Sequence, residues 1–587
     1  MIPHMPIVNG LTHRWELPAD ARLVEGGGMP LQERLLAARG FATAAAARSF
    51  CEPSLSELHD PGLLPDIDRA AERIVAGLRA GERIAIYGDY DVDGITASAI
   101  LFHTLRAIDP SAALRLYVPH RMDEGYGINA DALRALHAEG CTLAVSVDCG
   151  ITAVAPARVA RSIGLDLIIT DHHHPPTDPA DLPDACAIVH PTVPGSAYPF
   201  PDLSGAGVAY KLAWRLCTMW CGSERVAQKL RETLLHMLAL AALGTIADVV
   251  PLVGENRVIA RHGLRMLANT PIEGLGALIR ASSVGGGRTI DAERVGFQIA
   301  PRLNACGRLG HAAEALELLT TAVGKQANSI AARLTELNEK RKTQQERIIT
   351  EATMMAVASG QTAAGHRAIV LAHPHWHPGI VGIACARLTE EFGRPTILLC
   401  EDGDCLRGSA RSVGGFSMID ALNACAGTLR TFGGHEAAAG LSLNLGAIDA
   451  FRAAFVEHAN ASLNDDDLVP SLRVDCQAWL REIDERAIGS IGTLSPFGRS
   501  NPRPNLLLRH ARVVDTPRVL KEKHLKIRLS QDVEGERGEI EVLWWNAAPH
   551  APKLARGRIV DAVIDPRINE FRGRSTVEAE ARDVALL

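Results

Sequence analysis

Four short apolar runs, Arg83–Tyr87, Leu114–Val118, Leu143–Val147 and Leu167–Thr170, alternate with amphipathic stretches at Ile95–Ile108, Asn129–Glu139 and Thr152–Ile163. This β-α-β-α rhythm admits few folds. Parallel strands need crossover helices, so the sheet they form is covered on both faces. Three of the runs also end in acid. The first leads into Gly88-Asp89-Tyr90-Asp91-Val92-Asp93-Gly94, the third into Asp148-Cys149-Gly150, and the fourth into Asp171-His172-His173. Open parallel sheets bind ligands at the C-terminal ends of their strands. Like charges converging there repel unless a cation sits among them, and carboxylates with imidazoles suit Mn²⁺ or Mg²⁺. Any one of these aspartates reads equally well as a helix cap. Three together with paired histidines point to a site.

The rest of the chain divides by pattern. Residues 1–70 are Ala-, Leu- and Pro-rich and read as a helical cap. A catalytic α/β region covers 71–311, with further helices at 207–220 and 231–244. Leu316, Leu319, Val323, Ile330, Leu334 and Leu337 recur with helical spacing and predict a linking helix over 312–360. A second α/β region follows over 361–465, with a strand at Ala368–Ala372 and a helix at Gly379–Glu391. Over 466–587, His524–Ser530 and Glu539–Trp545 alternate with period two and predict a small antiparallel barrel. At 587 residues, 47% hydrophobic and with a net charge of −7, the chain is excluded from the disordered, collagen-like and polycationic classes. It contains no unbroken apolar run of about 18 residues, so no membrane partner is expected. Its 12 cysteines include no C-x-x-C pair, which implies reduced thiols and a cytoplasmic location.

The ordered segments G-D-Y-D-V-D-G, V-D-C-G and D-H-H resemble the DHH phosphoesterase superfamily. P-H-R-M-D-E-G-Y-G-I-N (119–129), G-T-I-A-D-V-V-P-L (244–252) and A-P-R-L-N-A-C-G-R-L (300–309) narrow the resemblance to its RecJ family of bacterial single-strand exonucleases. W-H-P-G-I-V-G-I-A (376–384), R-G-S-A-R-S (407–412), G-G-H-E-A-A-A-G (433–440) and S-P-F-G-R-S-N-P-R-P (495–504) do the same. Cys149 departs from the asparagine usual in the family. The resemblance implies a two-metal site at Asp89, Asp91, Asp93, Asp148, His172 and Asp248, holding two Mn²⁺ or Mg²⁺ ions. His173, with Asp148 and Asp171, forms the implied catalytic group, and His173 orients or protonates the departing group. His174 reads as a loop residue.

Arginine suits phosphate because its planar fork donates two bonds at once. Arg121 in a Gly-rich loop, Arg308 with Asn304, the Ser409/Arg411 pair on one strand face, and His435 in a glycine-rich turn are the expected phosphate or DNA contacts. Arg308 lies in a segment whose turn formers argue against plain helix. His373, His375 and His377 fall among prolines and read as a loop, with Trp376 and His377 near the substrate. The cysteines receive no role. Arg499, Arg503, Arg509, Arg512, Arg518, Lys521, Lys523, Lys526 and Arg528, with Trp544 and Trp545, make the tail a candidate single-strand track on a barrel of the OB type. On this reading the tail supplies grip alone and is separable from catalysis.

The resemblance implies a 5′→3′ single-stranded-DNA exonuclease in recombination and repair, with its crevice between the two α/β regions. It acts as a monomer on 5′ ends, with a single-strand-binding protein and a RecQ-type helicase as partners. The alternatives are a DHH-type nanoRNase or cyclic-dinucleotide phosphodiesterase, which would lack the basic tail, and a catalytically silent replication scaffold, which would have lost acids.

Overall fold

Ala113–Tyr117, Arg83–Gly88, Cys141–Val147, Asp166–Thr170 and Ala187–Val189 lie side by side in that order as an all-parallel sheet. Numbered along the chain, the order is 2-1-3-4-5. It reverses between the first and third strands, the point where doubly wound sheets open a crevice. Ile84, Ile86, Leu143, Val145 and Ile168 face one buried layer, and Ala85, Tyr87, Ala144, Leu167 and Ile169 face the other. The near-continuous apolar runs in the sequence therefore come from strands covered on both sides.

The computed structural model describes residues 7–18, 29–121, 123–282, 289–533, 535–571 and 574–587. It divides into two units. One comprises Pro53–Thr343 with Pro496–Pro502, and the other comprises Met1–Glu52, Gln344–Ser495 and Arg503–Leu587. In the first unit, helix Gln228–Ala247 packs against helices Val92–Ile108 and Gly254–Leu267. By length and composition it is apolar enough to cross a bilayer, yet Met237 to Ile246 are buried in this packing, as in a core helix.

The linking helix is shorter than its periodicity predicts. Ala313–Thr320 forms a separate helix carrying Leu316 and Leu319, and the long helix runs Gly324–Ala358. Gly324 adopts φ 53°, a left-handed turn that breaks the path, and Val323 beside it is exposed. The turn formers around Arg308 also misled. Ala300–Leu309 is helical and continues from a π turn at Val295–Ile299, with Pro301 in its first turn.

In the second unit a mixed sheet runs Thr431–Gly434, Ala438–Asn444, Cys405–Arg411, Thr396–Asp402 and Ile369–Ala372, with only the last pair parallel. The C-terminal strands Leu506–Val513, Ile559–Phe571, Arg574–Leu586, Glu536–Trp544 and His524–Val533 close into a barrel where Arg512 and Val513 pair with Ser530 and Leu529. Within the helical cap expected over 1–70, Leu31–Ala38 and Ala44–Cys51 are helices, but the first described residues are not. Ile7–Asn9 and Arg14–Glu16 are strands, and the latter pairs in parallel with Ser471–Arg473. Asp583 holds them, accepting bonds from the Thr12 and His13 amides at 3.1 and 2.9 Å, the Thr12 hydroxyl at 2.8 Å and the Trp15 indole at 2.8 Å.

Candidate metal centre

The loop after the first strand delivers three acids with different surroundings. Asp91 caps helix Val92–Ile108, its Oδ1 accepting from the Asp93 and Gly94 amides at 2.9 and 3.2 Å. The cap reading and the site reading therefore hold together for this residue. Asp93, 1% exposed, accepts from the Gly205 and Ala206 amides at 2.6 and 3.0 Å, at the N-terminus of helix Gly205–Cys221. Asp148 follows the third strand in a left-handed conformation, φ 62°, that few non-glycine residues adopt. Asp248 ends helix Gln228–Ala247. His172 Nε2 lies 3.1 Å from Asp148, 3.6 Å from Asp248 and 3.7 Å from Asp93.

Two ligand trios result, Asp93–His172–Asp248 and Asp89–Asp91–Asp148, and Asp148 also approaches His172 and His173. Asp89 Oδ1, Asp148 Oδ1 and His172 Nε2 are buried without a hydrogen-bond partner. A buried charge or lone pair left in that state is costly, and hard oxygen ligands with one imidazole suit a divalent cation. By this test the donor set fits the two ions that the sequence implies.

Electrostatics agree. Burial and then the Asp91 charge drive Asp89 well above the carboxylate range; burial and then Asp93 do the same to Asp148. The same causes lift Asp93 to about 7 and Asp248 to about 8. Burial and the neighbouring His173 charge lower His172 to about 4, leaving a neutral imidazole able to ligate.

Asp171 stands apart from both trios, which corrects the picture of three strand-end acids sharing one cation. Its Oδ2 accepts from the Ile151 amide at 2.9 Å. Its Oδ1 accepts from the His172 and His173 amides at 2.7 and 3.1 Å and from His173 Nδ1 at 2.7 Å. Although burial opposes it, this bonding brings Asp171 down to about 2. Burial would also lower His173, but the Asp171 bond and charge, backed by Asp248 and Asp89, raise it to about 9. Asp171 thus orients His173 through Nδ1 and leaves Nε2 free for chemistry. His174 is exposed in the loop beyond. Sequence reasoning missed Tyr126, whose hydroxyl lies 3.0 Å from His173 Nδ1. Its only signal was its place between Gly125 and Gly127 in the 119–129 segment.

Beside the acids, the Arg121 guanidinium lies 4.8 Å from the centre of the Tyr90 ring. Arg308 is lowered to about 10 by burial and then by the Arg121 and Arg341 charges, with Asp91 opposing them. Asn304 sits one turn before Arg308 on the same helix. Segment Pro496–Pro502 belongs to this unit. The Leu252 amide donates to Arg499 O at 2.9 Å, and the Arg499 charge acts on Asp248. The tail therefore does more than grip, and one of its supposed track residues braces the metal centre.

In the second unit, Ser409 and Arg411 share a face of strand Cys405–Arg411. A Cβ on Gly382 would meet Ser409 Oγ at 3.0 Å and Arg411 Nη2 at 3.5 Å. Arg411 pairs with Ala438, and the His435 amide donates to Ala438 O at 2.9 Å, so all three lie toward one end of the sheet. The His373–His377 run is the loop that the sequence predicts. His377 caps helix Pro378–Phe392, and His373 stacks on Trp376. Trp376 is buried, with its indole bonded to Glu351 at 2.9 Å, so its ring offers no open face for stacking. Cys149 is fully buried, and burial with the surrounding acids pushes its thiol up, so it is no nucleophile. On the barrel, Lys526, Arg528 and Arg503 pair with Glu541, Asp515 and Asp565, while Arg512, Arg518, Lys521 and Lys523 are exposed. Trp544 is buried, and Trp545 is 49% exposed.

Three family models match in order: the DHH family N-terminal domain over 83–245, the DHHA1 domain over 365–461 and the RecJ OB domain over 474–583. The single-stranded-DNA-specific exonuclease RecJ of Bacillus subtilis is 38% identical, the match covering 95% of this chain and 68% of that protein. Its counterpart in Salmonella typhimurium is 32% identical, with 97% of each chain covered. The chain belongs to the RecJ family. The Mn²⁺ complex of RecJ from Thermus thermophilus superposes with TM-score 0.77 at 31% identity, covering 94% of this chain and 75% of that one. RecJ from the same organism has also been solved with Mg²⁺, at TM-score 0.72 and 29% identity, covering 95% of this chain and 75% of that one. A RecJ OB domain and a full set of acids do not favour the nanoRNase, cyclic-dinucleotide or silent-scaffold alternatives.

Proposed function

We propose that this RecJ-family protein hydrolyses phosphodiester bonds of single-stranded DNA from the 5′ end, using two Mn²⁺ or Mg²⁺ ions. The observation that carries the reading is the pair of ligand trios, with Asp148 approaching the ligands of both. Asp93, His172 and Asp248 would hold one ion, and Asp89, Asp91 and Asp148 the other. When bound, such ions polarise the phosphate and lower the pKa of a water that attacks it.

The remaining steps fall to the chain's own side chains. Asp171 fixes the His173 ring through Nδ1, so Nε2 carries a proton that can pass to the departing 3′ oxygen. Bound cations offset the Asp248 and Asp89 contributions to the raised His173 basicity, whereas the Asp171 bond persists. Arg121 and Arg308 supply cations beside the acids for the phosphate of the chain end, with Asn304 alongside. Ser409, Arg411 and His435 supply the second unit's phosphate contacts. The exposed barrel cations and Trp545 suit a strand that runs onward. Monomeric action in the cytoplasm with a single-strand-binding protein and a RecQ-type helicase completes the reading, and rests on family resemblance alone.

The test is digestion of 5′- and 3′-labelled single strands and duplexes with Mn²⁺, Mg²⁺ or EDTA, by wild-type and Asp148→Asn protein. Release of the 5′ label first, only from single strands and only with metal, is expected of the wild type. The folded variant should bind DNA and cleave nothing. Cleavage in EDTA, or by Asp148→Asn at the wild-type rate, would overturn the assignment.

A further inference from the structure

A tyrosine at a protein surface ordinarily packs its ring inward and turns its hydroxyl to water. Tyr126 does the reverse. The residue is 51% exposed, yet its hydroxyl points inward to His173 Nδ1 at 3.0 Å. The ring is left to carry the open surface.

The loop is built to hold this arrangement. Gly125 and Gly127 adopt φ 80° and 91°, left-handed conformations that turn the chain out and back on either side of Tyr126. Glu124 staples the base of the loop, accepting from the His120 amide at 2.7 Å, the Tyr117 hydroxyl at 2.5 Å and Asn129 Nδ2 at 2.8 Å. The Tyr87 hydroxyl donates to Gly127 O at 3.0 Å. The ring also meets Tyr90 edge-on at 6.4 Å and 77° and His173 at 5.4 Å and 63°. Arg121 lies against Tyr90 in turn. Beside the acids there is thus a row of guanidinium, two phenol rings and imidazole. A nucleotide is an anion with a flat π face a few ångströms away, and this row offers a partner to each part.

We propose that the open face of Tyr126 stacks on the base of the 5′-terminal nucleotide, with its hydroxyl anchored on His173. This rests on the exonuclease reading above and adds a substrate contact to it. Stacking on an aromatic face tolerates every base, so the contact would serve an enzyme that degrades any sequence. It fails when the base is absent.

The experiment measures kcat and KM on single strands that end in a normal nucleotide or in an abasic residue at the 5′ terminus. Full-length wild type should show a KM roughly 5- to 100-fold lower for the base-bearing end, the range of a single base–aromatic stack. Tyr126→Leu should raise that KM to the abasic value and abolish the discrimination. Tyr126→Phe, which keeps the ring and leaves His173 oriented by Asp171, should keep the discrimination. Melting curves with and without Mn²⁺ confirm that both variants fold and bind metal. Undiminished discrimination by Tyr126→Leu overturns the proposal. So does equal loss of discrimination in Tyr126→Phe, which would leave the hydroxyl as the only functional part. Wild-type protein that cleaves neither substrate sinks the exonuclease reading itself.

Discussion

Gly205→Ala puts local preference and tertiary geometry in direct opposition. Gly205 opens helix Gly205–Cys221 without a left-handed φ, and alanine in a helix is favoured over glycine by up to about 1 kcal/mol. A Cβ there, however, would lie 2.3 Å from Asp148 Oδ1 and 2.6 Å from Asp148 Cβ, against the 3.4 Å at which ordinary contact begins. Something must move by about 1 Å, and Asp148 is already held in an uncommon backbone conformation. Overpacking of this kind costs about 1–3 kcal/mol, so stability should change little or fall by up to about 2 kcal/mol. Activity should suffer far more, because a displacement of about 1 Å at a reacting centre can cost on the order of 100-fold. The assay is exonuclease rate against Mn²⁺ concentration, with thermal melts alongside. Gly489→Ala, in helix Glu485–Gly492 with open space around it, serves as the control and should leave activity unchanged. A Gly205→Ala enzyme with wild-type kcat and Mn²⁺ affinity would refute the claim that glycine is needed there to keep Asp148 in place.

Arg411→Ala should reduce cleavage of 5′-phosphorylated strands about 10- to 100-fold more than of 5′-hydroxyl strands, the value of one charge-assisted bond; equal losses on the two would place Arg411 elsewhere. Metal-free protein should lose stability between pH 6.5 and 8.5. Asp93 and Asp248, raised to about 7 and 8, and His173, raised to about 9, are protonated in the fold at pH values where the unfolded chain has released those protons. The opposite contribution of His172, lowered to about 4, is complete near 6.5, so the Tm gain on adding Mn²⁺ should grow across this window; a flat or shrinking gain in scanning fluorimetry contradicts the charge assignment. Asp583→Ala should destabilise the second unit by roughly 3 kcal/mol, because the Trp15 indole is left buried without an acceptor. Urea melts read this directly, and a change below about 0.5 kcal/mol would show that the clamp is dispensable.

Local pattern determined a good deal on its own. The apolar runs and helical spacing of 83–171 specify buried parallel strands and crossover helices, because those periods follow from backbone geometry. The acids at strand ends announce the site, because a parallel sheet sends every such end to the same edge. The motif segments carry the family. The tertiary structure alone decided which acids gather into the ligand trios and which do not. Asp171 and Asp148 look alike in sequence, but the backbone amides of Ile151, His172 and His173 occupy the first and leave an oxygen of the second without a partner. It also decided that Asp248, 77 residues beyond Asp171, completes a trio and that Arg499 from the tail stands behind it. It turned the Tyr126 hydroxyl inward and joined the N-terminal strands to Ser471–Arg473 and Asp583. These are contacts between residues far apart along the chain. Such contacts depend on how elements pack against one another, and a period of 2 or 3.6 within one segment carries no record of the neighbour it will meet.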